Sequence, residues 1–164
     1  MTKDAVDDIL EQWSEERPEL DTASLGIVLR VTSLSRTFTR HAGEALEPLD
    51  LELFEYDVLS ALRRQGKPYS LTASRLAKAT GLSSGAMTNR IDRLEERALV
   101  RRRPDPDDRR GVIVALTRSG RATIEQAVQL RLDAADDSLS MLSATEKRRL
   151  AGLLRKVKLA DDSG

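Results

Sequence analysis

Residues 82–110, LSSGAMTNRIDRLEERALVRRRPDPDDRR, decide how the chain is read. Gly81 is placed to end one helix and Ser83 to cap the next, so two helices meet across a very short turn. That is the grammar of a helix-turn-helix. Inside the second helix, which the pattern runs from 84 to about 98, Met87, Ile91, Leu94 and Ala98 recur at spacings of four, three and four and make one buried stripe. Ser84, Thr88, Asn89, Asp92 and Arg93 point elsewhere. Small polar side chains near a helix N-terminus suit the reading of base edges in a DNA major groove. After the helix, 99–103 and 112–116 are short β-prone runs around the polar, proline-broken loop PDPDDRRG, which predicts a two-stranded hairpin, or wing.

The flanking sequence continues in helices. Thr72 is set to cap a short one, ASRLAKAT, with Leu76 and Ala77 facing inward. Before it, a helix from near Leu51 to Gln65-Gly66 carries Phe54, Val58, Leu59 and Leu62, and Lys67-Pro68-Tyr69 forms the turn that follows. Towards the N-terminus, Val6, Ile9, Leu10 and Trp13 fall at i, i+3, i+4 and i+7 and predict an amphipathic helix stopped by Pro18. A longer helix with Ile27, Val31, Leu34, Phe38, Ala42 and Ala45 on one stripe stops near Pro48. Downstream, a helix from about Ser119 carries Ile124, Val128, Leu132, Ala135, Leu139 and Leu142. Ser143-Ala144-Thr145-Glu146 is a capping box for a last helix with Leu150, Leu153, Leu154 and Val157.

The fold class expected is mainly α with a small β wing. Residues 1–50 supply N-terminal dimerisation helices, to which the resemblance described below adds an effector role, 51–118 the winged helix-turn-helix core, and 119–164 the C-terminal dimerisation helices, all within one compact domain. The terminal stripes exceed what so small a core can cover, so they pack on each other or on a second copy. A homodimer would present two such helices to one pseudo-palindromic double-stranded DNA site about one helical turn apart.

Composition narrows the function. Charged residues make 33% of the 164 and aromatic ones 3%, which argues for helices and against a β-sandwich. With no cysteine and a single histidine, His41, the chain offers no disulfide, thiolate or zinc site. No phosphate-binding glycine loop or serine elbow is present, so no catalytic residue, metal or cofactor is assigned and an enzyme is not expected. No run is long and apolar enough to span a membrane, and the acidic start MTKDAVDD is no signal peptide, so a cytoplasmic protein is expected. The net charge is zero but unevenly spread. Ten arginines face six acids between Arg90 and Arg121, whereas two basic residues face eight acids between Met1 and Leu25. One end attracts phosphate and the other repels it.

The runs FEYDVLSALRRQG (54–66), LAKATGLSSGAMTNRIDRLEERALVRRRPDPDDRRG (76–111) and VIVALTRSG (112–120) resemble, in order and spacing, the MarR family of winged-helix transcription regulators. ILEQWSEERPELD (9–21) is similar to the N-terminal extension of the family's urate-responsive branch. The resemblance implies a dimeric regulator, usually a repressor, that leaves its operator when a small anion binds. The alternative is a regulator without an effector, or one answering another organic acid or a phenolic compound. It implies DNA contacts from Ser83, Ser84, Thr88, Asn89 and Arg93 of the recognition helix, and from Arg109 and Arg110 of the wing tip, where a guanidinium enters the minor groove. It also implies effector contacts from Trp13, Asp57, Arg90 and Arg102. Asp57 and Arg90 both border buried stripes, and an ion pair between them would satisfy both.

Overall fold

The computed structural model describes residues 2–106, 108 and 111–161. Helices α1 (Ala5–Glu16) and α2 (Ala23–Glu44) are followed by a 3-10 turn at Glu47–Leu49 and by α3 (Leu53–Arg64). Strand β1 (Ser70–Thr72), helices α4 (Ala73–Thr80) and α5 (Ser84–Glu96), strands β2 (Val100–Pro104) and β3 (Val112–Leu116), and helices α6 (Arg118–Ser138) and α7 (Ala144–Asp161) complete it. The chain divides into two compact units, residues 1–41 and 42–164.

In the first unit Asp4 caps α1, accepting from the Val6 and Asp7 amides, while Asp7 returns a bond to the Asp4 amide. Arg30 of α2 donates to Asp4 at 2.8 and 2.9 Å and to Asp7 at 2.6 Å, tying the cap to the second helix. Gly26 sits where the two helices meet, since a Cβ there would stand 2.8 Å from Leu10 Cδ1.

The second unit is built on the predicted caps. Thr72 accepts from the Arg75 amide, Gly81 ends α4 at φ +69, and Ser83 accepts from the Ala86 amide. The Thr117 hydroxyl donates to Ala98 O at 2.7 Å and accepts from the Gly120 amide at 2.9 Å, so it both starts α6 and fastens it to the end of α5. Ser143 and Glu146 form the expected capping box. Leu59, Leu62, Leu76, Met87, Ile91, Leu94, Val100, Val114 and Ile124 close the core, each nearly inaccessible to solvent.

Three expectations are corrected. The hairpin belongs to a three-stranded antiparallel sheet in the order β1-β3-β2, because Ser70–Thr72 pairs with Ala115–Ile113. Ala98 leaves the helical stripe: α5 ends at Glu96, and Ala98 turns the chain into β2 with φ +54. On α3 the fully buried partner of Val58, Leu59 and Leu62 is Glu55, whereas Phe54 lies half-buried on the flank.

Candidate nucleic-acid interface

Helix α5 buries Met87, Ile91 and Leu94 and leaves Ser83, Ser84, Thr88, Asn89, Asp92 and Arg93 exposed, so its outward face carries the polar side chains expected of it. Two hydroxyls are already engaged: Ser83 Oγ accepts from Ala86 N, and Thr88 Oγ1 donates to Ser84 O at 3.0 Å. Gly85, on the same face, has open space beyond it. The wing loop is closed at its base by Asp105 N donating to Gly111 O at 3.0 Å. Arg109 and Arg110, expected at the wing tip, lie outside the described residues.

Three sets of contacts hold α5 in place. At its C-terminus Arg97 donates to Glu55 Oε2 at 2.7 Å and to Leu49 O at 3.4 Å, with Asp50 at 3.8 Å. Glu55 is fully buried, and its Oε1 has no partner among the described residues. Along the wing, Arg102 of β2 reaches Glu95 Oε2 at 2.7 Å, Asp92 Oδ1 at 2.5 Å and Thr88 O at 3.2 Å, while its amide donates to Glu95 Oε1 at 2.8 Å. These bonds, the backbone one foremost, hold the Glu95 carboxyl below the usual glutamate range. On the third side, the Arg90 and Arg93 guanidiniums lie 4.2 and 5.0 Å from the Phe54 ring centroid.

The expected effector residues are therefore distributed differently from the sequence reading. No ion pair joins Asp57 to Arg90 among the described residues; Arg90 stacks on Phe54 instead. Arg102 faces α5 and not Asp57, because two carboxylates and a carbonyl of that helix are closer to it. Trp13 lies in the first unit, on an α1 face that is 43% exposed at the tryptophan. Asp57 is open to solvent, yet enough protein surrounds it that burial pushes its carboxyl up from the ordinary range, against the pull of Arg131, Arg64 and Arg90.

Sequence reasoning missed Glu55, Arg97 and Arg131. The first was within reach: Glu55, Val58, Leu59 and Leu62 keep the i, i+3, i+4, i+7 spacing of a buried stripe, so an acid at its head needs a cation. Arg131, whose Nε is buried without a partner and whose guanidinium lies 5.6 Å from the Tyr56 centroid, gives no comparable signal.

A capped helix-turn-helix, a recognition helix with an exposed polar face and a wing clamped to it coincide with what known proteins of this build contain. The chain belongs to the MarR family. Residues 49–111 match the family model. The chain is 35% identical to the HTH-type transcriptional regulator PecS of Dickeya dadantii over 93% of its length and 92% of the relative's. It is 37% identical to the multiple antibiotic resistance protein MarR of Escherichia coli over 72% of this chain and 81% of that one. Among solved structures, a cysteine-to-serine variant of E. coli MarR complexed with operator DNA superposes with a TM-score of 0.71 at 32% identity, covering 88% of this chain and 96% of that one. The protein is a winged-helix transcription regulator and not an enzyme. Among the described residues no helix is long and apolar enough to cross a membrane.

Proposed function

We propose that this regulator binds a pseudo-palindromic operator as a homodimer, represses from it, and is released by a small organic anion of the urate class. The observation that carries the DNA reading is the exposed polar face of α5 on a helix fastened at its C-terminus, wing and flank. Ser83 retains a hydroxyl hydrogen for a phosphate at the helix N-terminus, where the dipole also favours an anion. Thr88, its hydrogen spent on Ser84 O, offers lone pairs and a methyl group to base edges. Asn89 reads bases, Ser84 and Arg93 hold phosphates, and Arg109 and Arg110 enter the minor groove from the wing.

Apolar surface supports the dimer. Ile27 and Val28 of α2 are 65% and 59% exposed, and Leu153 and Val157 of α7 are 56% and 69% exposed, stripes that a second copy would bury. The ligand reading assigns Asp57 and Arg90 to the anion. Arg102 acts on the ligand response through the wing clamp that the structure gives it.

Fluorescence anisotropy on DNA from the gene's own upstream region, at two salt concentrations and with and without sodium urate, tests the reading. Affinity should fall steeply with salt, by roughly 0.9 log units per log unit of salt for each phosphate neutralised. Urate should release the complex. Salt-independent binding would refute the operator reading, and release by no planar anion would leave a regulator without an effector.

A further inference from the structure

The outer face of α3 carries an uncompensated cluster of arginines. At about 100° per residue, Asp57 lies between Phe54 and Tyr56 on the side of α3 turned away from Val58 and Leu62. Arg90 of α5 stacks on Phe54 at 4.2 Å, and Arg131 of α6 lies over Tyr56 at 5.6 Å, so the two guanidiniums approach Asp57 from its two flanks. Arg64, two turns along, shares the Asp57 face. None of the three arginines has a carboxylate within ion-pair distance among the described residues, in contrast to Arg30, Arg63, Arg97 and Arg102, which all do. One carboxylate among three cations leaves an excess of two positive charges, and the buried Nε of Arg131 lacks any acceptor. A guanidinium nitrogen buried without an acceptor is costly until one joins it.

Resting on the ligand reading above, we propose that Arg131 is the principal anion-holding residue of the effector site, gripping a planar organic anion against Tyr56 while Arg90 takes its opposite edge. The chemistry favours a flat, delocalised anion over a spherical one. Both guanidiniums lie over aromatic rings, and the planar guanidinium fork matches a carboxylate or an enolate bidentately. Burial has already made the charged form of Asp57 less favourable, so an incoming anion meets a carboxyl that can take up a proton and donate to it. The cavity of about 210 Å³ in the first unit, lined by Asp4, Val6, Arg30 and Leu34, is a poorer anion site, because Asp4 and Asp7 already neutralise its arginine.

The test compares the full-length protein with Arg131→Met, which keeps the stem over Tyr56, and Arg131→Lys, which keeps the charge and loses the planar fork. Sodium urate is the probe and uncharged hypoxanthine the control. Calorimetric affinity for urate and the urate concentration that releases operator DNA should both worsen about tenfold or more in Arg131→Met. Arg131→Lys should fall between, and hypoxanthine should discriminate none of the three. The slope of operator affinity against salt should stay as in the parent. Urate binding by Arg131→Met equal to the parent's overturns the role of Arg131 but spares the ligand reading if Asp57→Asn and Arg90→Met still weaken it. A parent that binds no urate overturns both. A salt slope lowered by about 0.9 per protomer, about 1.8 for the dimer, makes Arg131 a phosphate contact, and a weakened dimer in sedimentation makes the cluster a seat for a second copy's acids; either refutes the proposal.

Discussion

Breaking the pair between Arg97 and Glu55 should cost more stability than any other single ionic change in the protein. Glu55 is fully buried while about a third of the Arg97 side chain is exposed, and they meet at 2.7 Å. Arg97→Met leaves the Glu55 carboxylate in the core with only the Glu52 side of its capping box, since Oε1 already lacks a partner. Removing one member of a buried pair costs about 3–5 kcal/mol, and the partial exposure of Arg97 puts this case near 3. Glu55→Gln keeps an acceptor for Arg97 and removes only the charge, so its cost is about 1–2 kcal/mol. For a chain of this length, 1 kcal/mol moves Tm by about 2–4 °C, so Arg97→Met should melt roughly 6–12 °C lower. Urea denaturation followed by circular dichroism, at one fixed concentration because self-association would couple stability to concentration, measures both variants and the double variant. The double variant should cost clearly less than the sum of the two, since it leaves no stranded charge. A cost below about 1 kcal/mol for Arg97→Met, or strict additivity, would refute this account of the clamp.

Three further outcomes follow from named contacts. Gly120→Ala would set a Cβ 1.8 Å from Leu99 O, closer than any packing tolerates, so the variant should fail to fold or lose more than about 3 kcal/mol in a denaturation curve. Arg102→Met should free β2 from α5, lowering operator affinity about tenfold, and the Glu95 carboxyl should rise back towards the ordinary glutamate range by NMR titration. Because Glu95 is depressed in the fold, the clamp's contribution is complete above the ordinary glutamate range and lost as pH falls through the lowered value; a pH-independent difference in stability between parent and variant contradicts it. Asp57 has the opposite sign: its raised carboxyl makes the parent gain stability relative to Asp57→Asn as pH falls through that raised value, so at neutral pH the asparagine variant should melt no lower than the parent. A Tm deficit for Asp57→Asn at neutral pH would contradict this sign and show that the carboxylate is held by a further partner.

Caps and periodicity made most of the fold legible. Thr72, Gly81, Ser83 and the Ser143–Glu146 box are local signals, each needing only a hydroxyl or a glycine and the next few amides. Strand β1 was hidden because three residues are too few to show alternation, and Ser70–Thr72 is a strand only because β3 lies beside it. Gly120 was equally silent: the need for glycine comes from Leu99 O, which is distant in sequence. The polar face of α5 was readable from spacing alone. The side-chain partners were not, because Arg90 could border its stripe and pair with Asp57 or stack on Phe54, and only the packing of α3 against α5 decides.

That choice of partner bears on how a ligand could act. Arg102 and Arg97 hold α5 through charge-assisted bonds, each of about 1.5–3 kcal/mol. Arg90 and Arg93 hold it through stacking on Phe54, worth about 0.5–1 kcal/mol apiece at an accessible site. On the proposed ligand reading, an anion drawing Arg90 towards Asp57 would load the weakest of the three attachments. The wing would then follow α5, because Arg102 binds Asp92, Glu95 and Thr88 of the same helix and ties β2 to it. A hundredfold loss of operator affinity requires about 2.7 kcal/mol of differential ligand binding between the two states. A charge-assisted hydrogen bond from Arg90 to the anion in each half of a dimer, less the stacking energy on Phe54, supplies about that much. The same ligand touching only Arg102 would have to break the stronger clamp first, and would separate the wing from the helix instead of moving them together.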